Sequence, residues 1–257
     1  MKYLKQTIRE LKESIIQTKK TVILLEVVLV FYVFYSLLKT TSAYSGIIVE
    51  VSLADALAQF MQPFYFCVGI ILVLFVQYIF MSKHQDREIR VLKIGSRTKY
   101  WQIELLRILF FTIGQTAIIA AVLYFAGNIL FSEKINWFLE ESIYFSFFKK
   151  TSVISFTEYF IVFILFLFIT IGISLVFLKG LSILFQGYIT PLILFLILYT
   201  IDSFQIMNGI FYEKMDLFYF YPANKMIYFR NAVIAIAIMV LFILYVKKKV
   251  KRYNFIK

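Results

Sequence analysis

The chain reads as an all-α polytopic membrane protein, and three observations predict this. Of 257 residues, 61% are hydrophobic and only 16% charged, against roughly 25% charged in a soluble domain. Apolar runs of the length needed to cross a bilayer, about 20 residues, lie at residues 22–38, 60–81, 105–131, 159–178, 181–201 and 232–246. Lysine and arginine gather in alternate connections between those runs, the pattern that orients helices in a membrane.

The elements follow in order along a single transmembrane domain, 1–257. Residues 1–20 place Leu4, Ile8, Leu11 and Ile15 on one helical stripe, with Lys5, Arg9, Lys12 and Glu13 largely off it. The pattern predicts a basic amphipathic helix lying on the membrane surface; a solvated basic leader is the plainer reading. Runs 22–38 and 232–246 are short, so each is expected to borrow a flanking turn or to stand nearly along the membrane normal. A cleaved signal peptide ending near Thr41-Ser42-Ala43 is the competing reading of the first run. The segment before it is far longer than an ordinary n-region, which argues for a retained span.

Most of the 27 basic residues fall on one side. They sit in the N-terminal segment, in the block from Lys83 to Arg107, at Lys179, and in the tail 247–257. Lys179 is expected to mark the short turn between the fourth and fifth runs. Only Lys39, Lys134, Lys149, Lys150, Lys214, Lys225 and Arg230 lie on the other side. The positive-inside rule then puts both termini in the cytoplasm. The net charge of +12 is therefore topology, and no nucleic-acid partner is expected.

Two long loops on the other side are aromatic. Residues 132–156 hold Trp137, Phe138, Tyr144, Phe145, Phe147 and Phe148; residues 202–230 hold Phe204, Phe211, Tyr212, Phe218, Tyr219, Phe220 and Tyr221. Such rings favour the headgroup zone, so these loops are expected to lie in or dip into the outer leaflet, with a re-entrant pair before the last run as one form. A plain aromatic belt is the other reading. Pro191 falls in the middle of the fifth run, where a missing amide donor would kink a helix and could serve gating.

Chemistry inside the chain is sparse. His84 is the sole histidine and Cys67 the sole cysteine, which leaves no histidine dyad, histidine-based metal cluster or intrachain disulfide. An intramembrane hydrolase is the least favoured class. Glu26 lies roughly a turn and a half inside the first run, where a carboxylate facing lipid costs on the order of a few kcal/mol. It is expected to face protein, water or a partner subunit, or to be protonated; as a functional residue it lines a path and meets a cationic group, and the plainer reading is a carboxylate snorkelling toward Lys19 and Lys20. Glu104 and Arg107, three apart, can pair on one helix face.

The most unusual segment is 83–101, within the block KHQDREIRVLKIGSRTKYWQIELLR. Residues 85–94 suffice for about three helical turns, Gly95 suits the position just past a helix end, and Ser96 can cap a new helix. Ile89, Val91, Leu92 and Ile94 share no single face, as expected of a short helix held between the membrane domain and another protein. A basic loop that only sets topology need not alternate Asp86 and Glu88 with arginines. Tyr100 and Trp101 are expected to mark the interface where the chain returns to the bilayer.

In layout the chain resembles the membrane (permease) subunits of ABC transporters of the ABC-2 type. What matches is a basic amphipathic N-terminal helix, six spans, the charged segment DREIRVLKIGSRTKYW between spans two and three, and the aromatic, proline-containing stretch YPANKMIYFR before span six. The resemblance implies that the charged segment is the coupling helix that docks on a nucleotide-binding subunit, with Asp86, Arg87, Glu88, Arg90, Leu92, Lys93 and Gly95 as its contacts. Glu88 matches only loosely the acidic residue usual there. It further implies two cytosolic ABC ATPase subunits, a second permease subunit in a homodimer or heterodimer, and ATP and magnesium on the ATPase rather than on this chain.

The phosphate-loop pattern G-x-x-x-x-G-K-[ST] occurs nowhere in the chain, so the chain itself is not expected to be an enzyme. The resemblance implies as the favoured function the permease subunit of an ATP-driven exporter in a bacterial cell membrane, moving a hydrophobic or amphipathic substrate such as a peptide, of the antimicrobial-peptide export or immunity kind. An ion-coupled secondary transporter and a non-transporting sensor or immunity protein are the alternatives. Glu26 and Pro191 are the candidates for substrate path or gating.

Overall fold

The computed structural model describes residues 18–43, 51–62, 66–82, 96–203 and 225–252. Among them every regular element is helical. In chain order these are α1 (Lys19–Ala43), α2 (Leu53–Phe60), a π-helical turn (Phe66–Ile71) running into α3 (Leu72–Ser82), α4 (Arg97–Leu130), α5 (Ile143–Phe148), α6 (Phe156–Leu184), α7 (Ile189–Ser203) and α8 (Lys225–Arg252). Four of them are long and apolar enough to cross a membrane: α1, α4, α6 and α8. Two shorter apolar helices, Val68–Ser82 and Ile189–Leu198, accompany them. This is the architecture of a helical membrane protein.

The two short runs do gain length. α1 and α8 have 25 and 28 residues, because flanking lysines and threonines continue the helix beyond the apolar stretch at either end.

α6 is the central post. It packs against α8, α4 and α7, and 61% of its most apolar window is buried, against 17% for α1 and for α8. Tyr159, Phe163, Phe166, Leu167, Ile171, Leu175 and Leu178 supply its buried face. Lipid tails are as apolar as leucine, so this association is held by close packing and by polar contacts more than by water exclusion. The outward faces of α1 and α8 are correspondingly apolar, with Leu24, Phe31, Tyr35, Val233, Leu241 and Leu244 all exposed.

Close approach depends on glycines at two crossings. A Cβ on Gly69 would overlap the Tyr32 ring of α1, and one on Gly180 would sit 2.5 Å from the Phe242 ring of α8. The π-helical turn carries Gly69 into that contact.

The connection after α6 differs from the expectation. Lys179 is not in a turn: α6 continues through it to Leu184, because residues 181–184 are as helix-compatible as those before the lysine, and Lys179 finds partners inside the bundle. The chain reverses at 185–188 instead. Phe185 caps the helix, Gln186 takes φ 54°, and the Gly187 amide donates to the Ser182 carbonyl at 3.1 Å. That is a Schellman closure with a non-glycine residue in the left-handed position. Pro191 consequently falls third in α7, in the first turn, where its missing N–H has no helical acceptor to lose. It supplies no mid-helix kink.

Two ends of the bundle can be named by the chain itself. The end where α3 finishes and α4 begins brackets residues 83–95 and is called the island end; the opposite end, where α4 finishes and α6 begins, is the far end.

Candidate functional site

Three polar clusters are built into this apolar framework. The first joins α1, α3 and α4. Glu26 lies seven residues into α1, about 10 Å along its axis, and its carboxylate turns into the bundle. Gln77 Nε2 donates to Glu26 Oε2 at 2.6 Å and Gln115 Nε2 to the same oxygen at 3.1 Å. Lys19 and Lys20 are exposed, so the side chain meets amides, not the lysines toward which snorkelling would have drawn it. Gln77 and Gln115 are buried to 1% and 6% exposure.

Both amides thus serve one carboxylate oxygen. The other, Glu26 Oε1, is buried without a hydrogen-bond partner, as are Gln77 Oε1 and Gln115 Oε1. Turning either amide over would put oxygen against oxygen, so the orientation of each is set by the carboxylate. Within a turn of Gln115, the hydroxyls of Thr112 and Thr116 are buried and equally unpartnered. An orphaned buried polar atom costs roughly 1–3 kcal/mol, and these five lie on α1, α3 and α4.

The second cluster ties the island end together. Arg107 pairs with Glu104 one turn before it on α4, as their spacing predicts. Tyr78 of α3 donates its hydroxyl to Glu104 Oε2 at 2.7 Å, and Lys179 Nζ of α6 lies 3.8 Å from the same oxygen. The Lys179 ammonium also stands 6.0 Å from the Tyr78 ring centroid and 5.4 Å from that of Tyr188, within cation–π reach. Glu104, Arg107 and Lys179 are all essentially buried. One carboxylate therefore holds two cations and three helices.

Beside it, Trp101 is fully buried and its indole N–H donates to the Ile243 carbonyl of α8 at 3.3 Å. Tyr100 and Trp101 pack with Ile183, Val246 and Val250. These rings fill a helix junction rather than facing headgroups, because α8 covers them. Ser96 does precede α4, but its hydroxyl meets the Thr98 hydroxyl at 2.9 Å and makes no side-chain cap.

The third cluster closes the far end. Ser52 and Asp55 form a capping box that starts α2. Asp55 Oδ2 accepts from the Ser52 amide at 2.8 Å and the Ser52 hydroxyl at 2.6 Å, and Asp55 Oδ1 accepts from Trp137 Nε1 at 2.7 Å. The Leu53 and Ala54 amides are taken by the Glu133 and Lys134 carbonyls. Trp137 stacks on Tyr144 at 5.0 Å and meets Tyr159 edge-on at 4.8 Å. Burial pushes the Asp55 carboxyl above the usual range, against the lowering effect of the Ser52 and Trp137 hydrogen bonds. The Tyr144 hydroxyl is likewise raised by burial, opposed by Ser152.

Part of the aromatic loop 132–156 is an internal cap. Trp137 and Tyr144 pack against protein, while Phe138 and Val153 stay exposed.

Of the residues singled out from the sequence, Glu26 enters the first cluster and Glu104 with Arg107 the second; Pro191 joins none of them. Asp86, Arg87, Glu88, Arg90, Leu92, Lys93 and Gly95 lie outside the described residues, as do the N-terminal stripe through Ile15 and most of the aromatic segment 202–230. Gln77, Gln115 and Asp55 had not been singled out. A glutamine inside an apolar run is itself a signal, and each of these two interrupts one, in LVLFVQYIF and FFTIGQTAII. The Ser52-x-x-Asp55 spacing is a capping-box pattern.

Among the described residues no group of three or more histidine, cysteine, aspartate or glutamate side chains could hold a metal ion. No family model matches the chain, and no curated protein or solved structure matches it either.

Proposed function

We propose that this chain is the membrane subunit of an ATP-driven exporter of the ABC-2 type, crossing the bilayer six times with both termini in the cytoplasm. Two such subunits, identical or related, enclose the path of a hydrophobic or amphipathic substrate such as a peptide, and two separate ATPase subunits bind ATP and magnesium.

The observation that carries this reading is the charged segment 83–95 joined to a chain without a phosphate loop. On this reading ATP is bound by another subunit, and the charged segment supplies the surface through which that subunit drives the chain. The described geometry supports the same division of labour at the foot of that segment. Tyr78, Glu104, Arg107 and Lys179 clamp the end of α3, the start of α4 and the end of α6, and Trp101 adds α8. A push delivered between α3 and α4 would reach four helices through short, buried contacts.

The test is co-purification of the full chain with its soluble ATPase, alongside ATP-linked transport. Replacing Asp86, Arg87, Glu88 and Arg90 together by alanine is expected to abolish both while leaving helical content unchanged. Retention of both activities would remove the exporter reading.

A second reading, an ion-coupled secondary transporter, draws on the Glu26–Gln77–Gln115 cluster, since buried carboxylates with polar partners serve ion pathways. It expects uptake driven by an ion gradient with no ATPase present.

A further inference from the structure

We propose that Glu26, Gln77 and Gln115 form a binding site for one monovalent cation within the bundle, either an alkali ion or the primary ammonium group of a transported molecule. Cation binding at the site does not depend on the exporter assignment; reading an ammonium ligand as part of a substrate rests on it.

The argument starts from which atoms are satisfied. Each glutamine spends an amide N–H on Glu26 Oε2, which leaves its carbonyl oxygen as an acceptor still to be satisfied. Three oxygens, Glu26 Oε1, Gln77 Oε1 and Gln115 Oε1, remain buried and without partners. With the Glu26 carboxyl ionised, all three are acceptors with no hydrogen to give, so they cannot satisfy one another. What they lack in common is a positive or hydrogen-donating group.

The donor set then selects its chemistry. Oxygen from carboxylate and amide carbonyls suits hard cations and ammonium donors, not soft transition metals. One carboxylate balances one positive charge; a divalent ion would leave a net charge in a low-dielectric interior. The cations of the island-end cluster are engaged with Glu104 instead.

The full chain, purified in detergent without any ATPase, supplies the test. Its unfolding temperature is measured against sodium, potassium or methylammonium chloride, with choline chloride holding ionic strength constant. A ligand that binds only the folded state raises that temperature saturably. At least one small cation is expected to do so, and choline, too bulky for a site between packed helices, is not. Equilibrium dialysis with a labelled form of the cation that gives the shift should show one ion bound per chain.

Glu26→Gln is expected to abolish the shift, and Gln77→Leu or Gln115→Leu to weaken the apparent affinity by on the order of tenfold. Saturation by sodium or potassium alone assigns the site to an alkali ion, and saturation by methylammonium alone to a substrate ammonium; saturation by both supports the shared chemistry. No saturable response to any of the three, or a response that survives Glu26→Gln, overturns the proposal. Should Glu26→Gln fail to fold, an unchanged affinity in both glutamine variants overturns it equally. Because no ATPase is present, loss of the coupling assignment leaves this result standing.

Discussion

Lys179 Nζ lies 3.8 Å from Glu104 Oε2 across the junction of α6 and α4, and both side chains are buried. With Arg107 on the other carboxylate oxygen, Glu104 neutralises one of two buried positive charges and lies close to both. The three residues cannot therefore be equivalent in a mutational test. Removing Lys179 leaves a neutral pair, whereas removing the charge of Glu104 leaves two cations facing each other.

Glu104→Gln is accordingly expected to be the costly change, on the order of 3–5 kcal/mol, and Lys179→Met the mild one. Thermal unfolding in detergent reads the difference. The double variant should be more stable than the sum of the single effects predicts, because residues sharing one ion-pair network do not add. Equal costs for the two single changes would mean that the cluster does not hold charge as described.

The far-end cap carries a pH dependence with a definite sign. Burial raises the folded-state carboxyl of Asp55 above its unfolded value. Its contribution to stability is then fully present below the ordinary aspartate value and is lost as pH rises through the raised folded value. Asp55→Asn should flatten that slope in unfolding temperature against pH. A wild-type curve with no decline across this window, or an Asp55→Asn curve that declines as steeply, would contradict the assignment.

Gln186 holds a left-handed conformation in the closure after α6. Gln186→Gly relieves that backbone and should stabilise the fold by about 0.5–1 kcal/mol, while Gln186→Val should destabilise it. The ordering of the three unfolding temperatures is the measurement.

Gly180 permits the α6–α8 contact. A methyl there meets the Phe242 ring at 2.5 and 2.8 Å, so Gly180→Ala is expected to cost roughly 1–3 kcal/mol through overpacking. Phe242→Leu in the same chain should recover part of that loss, which distinguishes a steric conflict from a general helix effect.

Much of the helical framework was legible because apolar length is a local property. The runs beginning near residues 22, 105, 159 and 232 each correspond to a long apolar helix, and the Glu104–Arg107 pair followed from helical spacing alone. Boundaries were less legible. A lysine at 179 carries the same local signal whether it sits in a loop or inside a bundle, and the choice was made by Glu104, 75 positions away in the chain. Pro191 followed suit: once α6 extended to Leu184, the proline was carried from mid-run to the first turn of α7.

Composition, run length and motif need no partner to be read, so they alone identify a helical membrane protein, locate its long apolar helices and show that no phosphate loop is present. What the buried polar groups do was set by packing. It turned Glu26 away from Lys19 and Lys20 toward Gln77 and Gln115, drew Trp137 inward onto Asp55, and brought Lys179 to Glu104. The physical reason is common to all three. In an apolar bundle a polar atom is stable only where a partner from another helix reaches it, and that partner is set by packing across the chain rather than by neighbours along it.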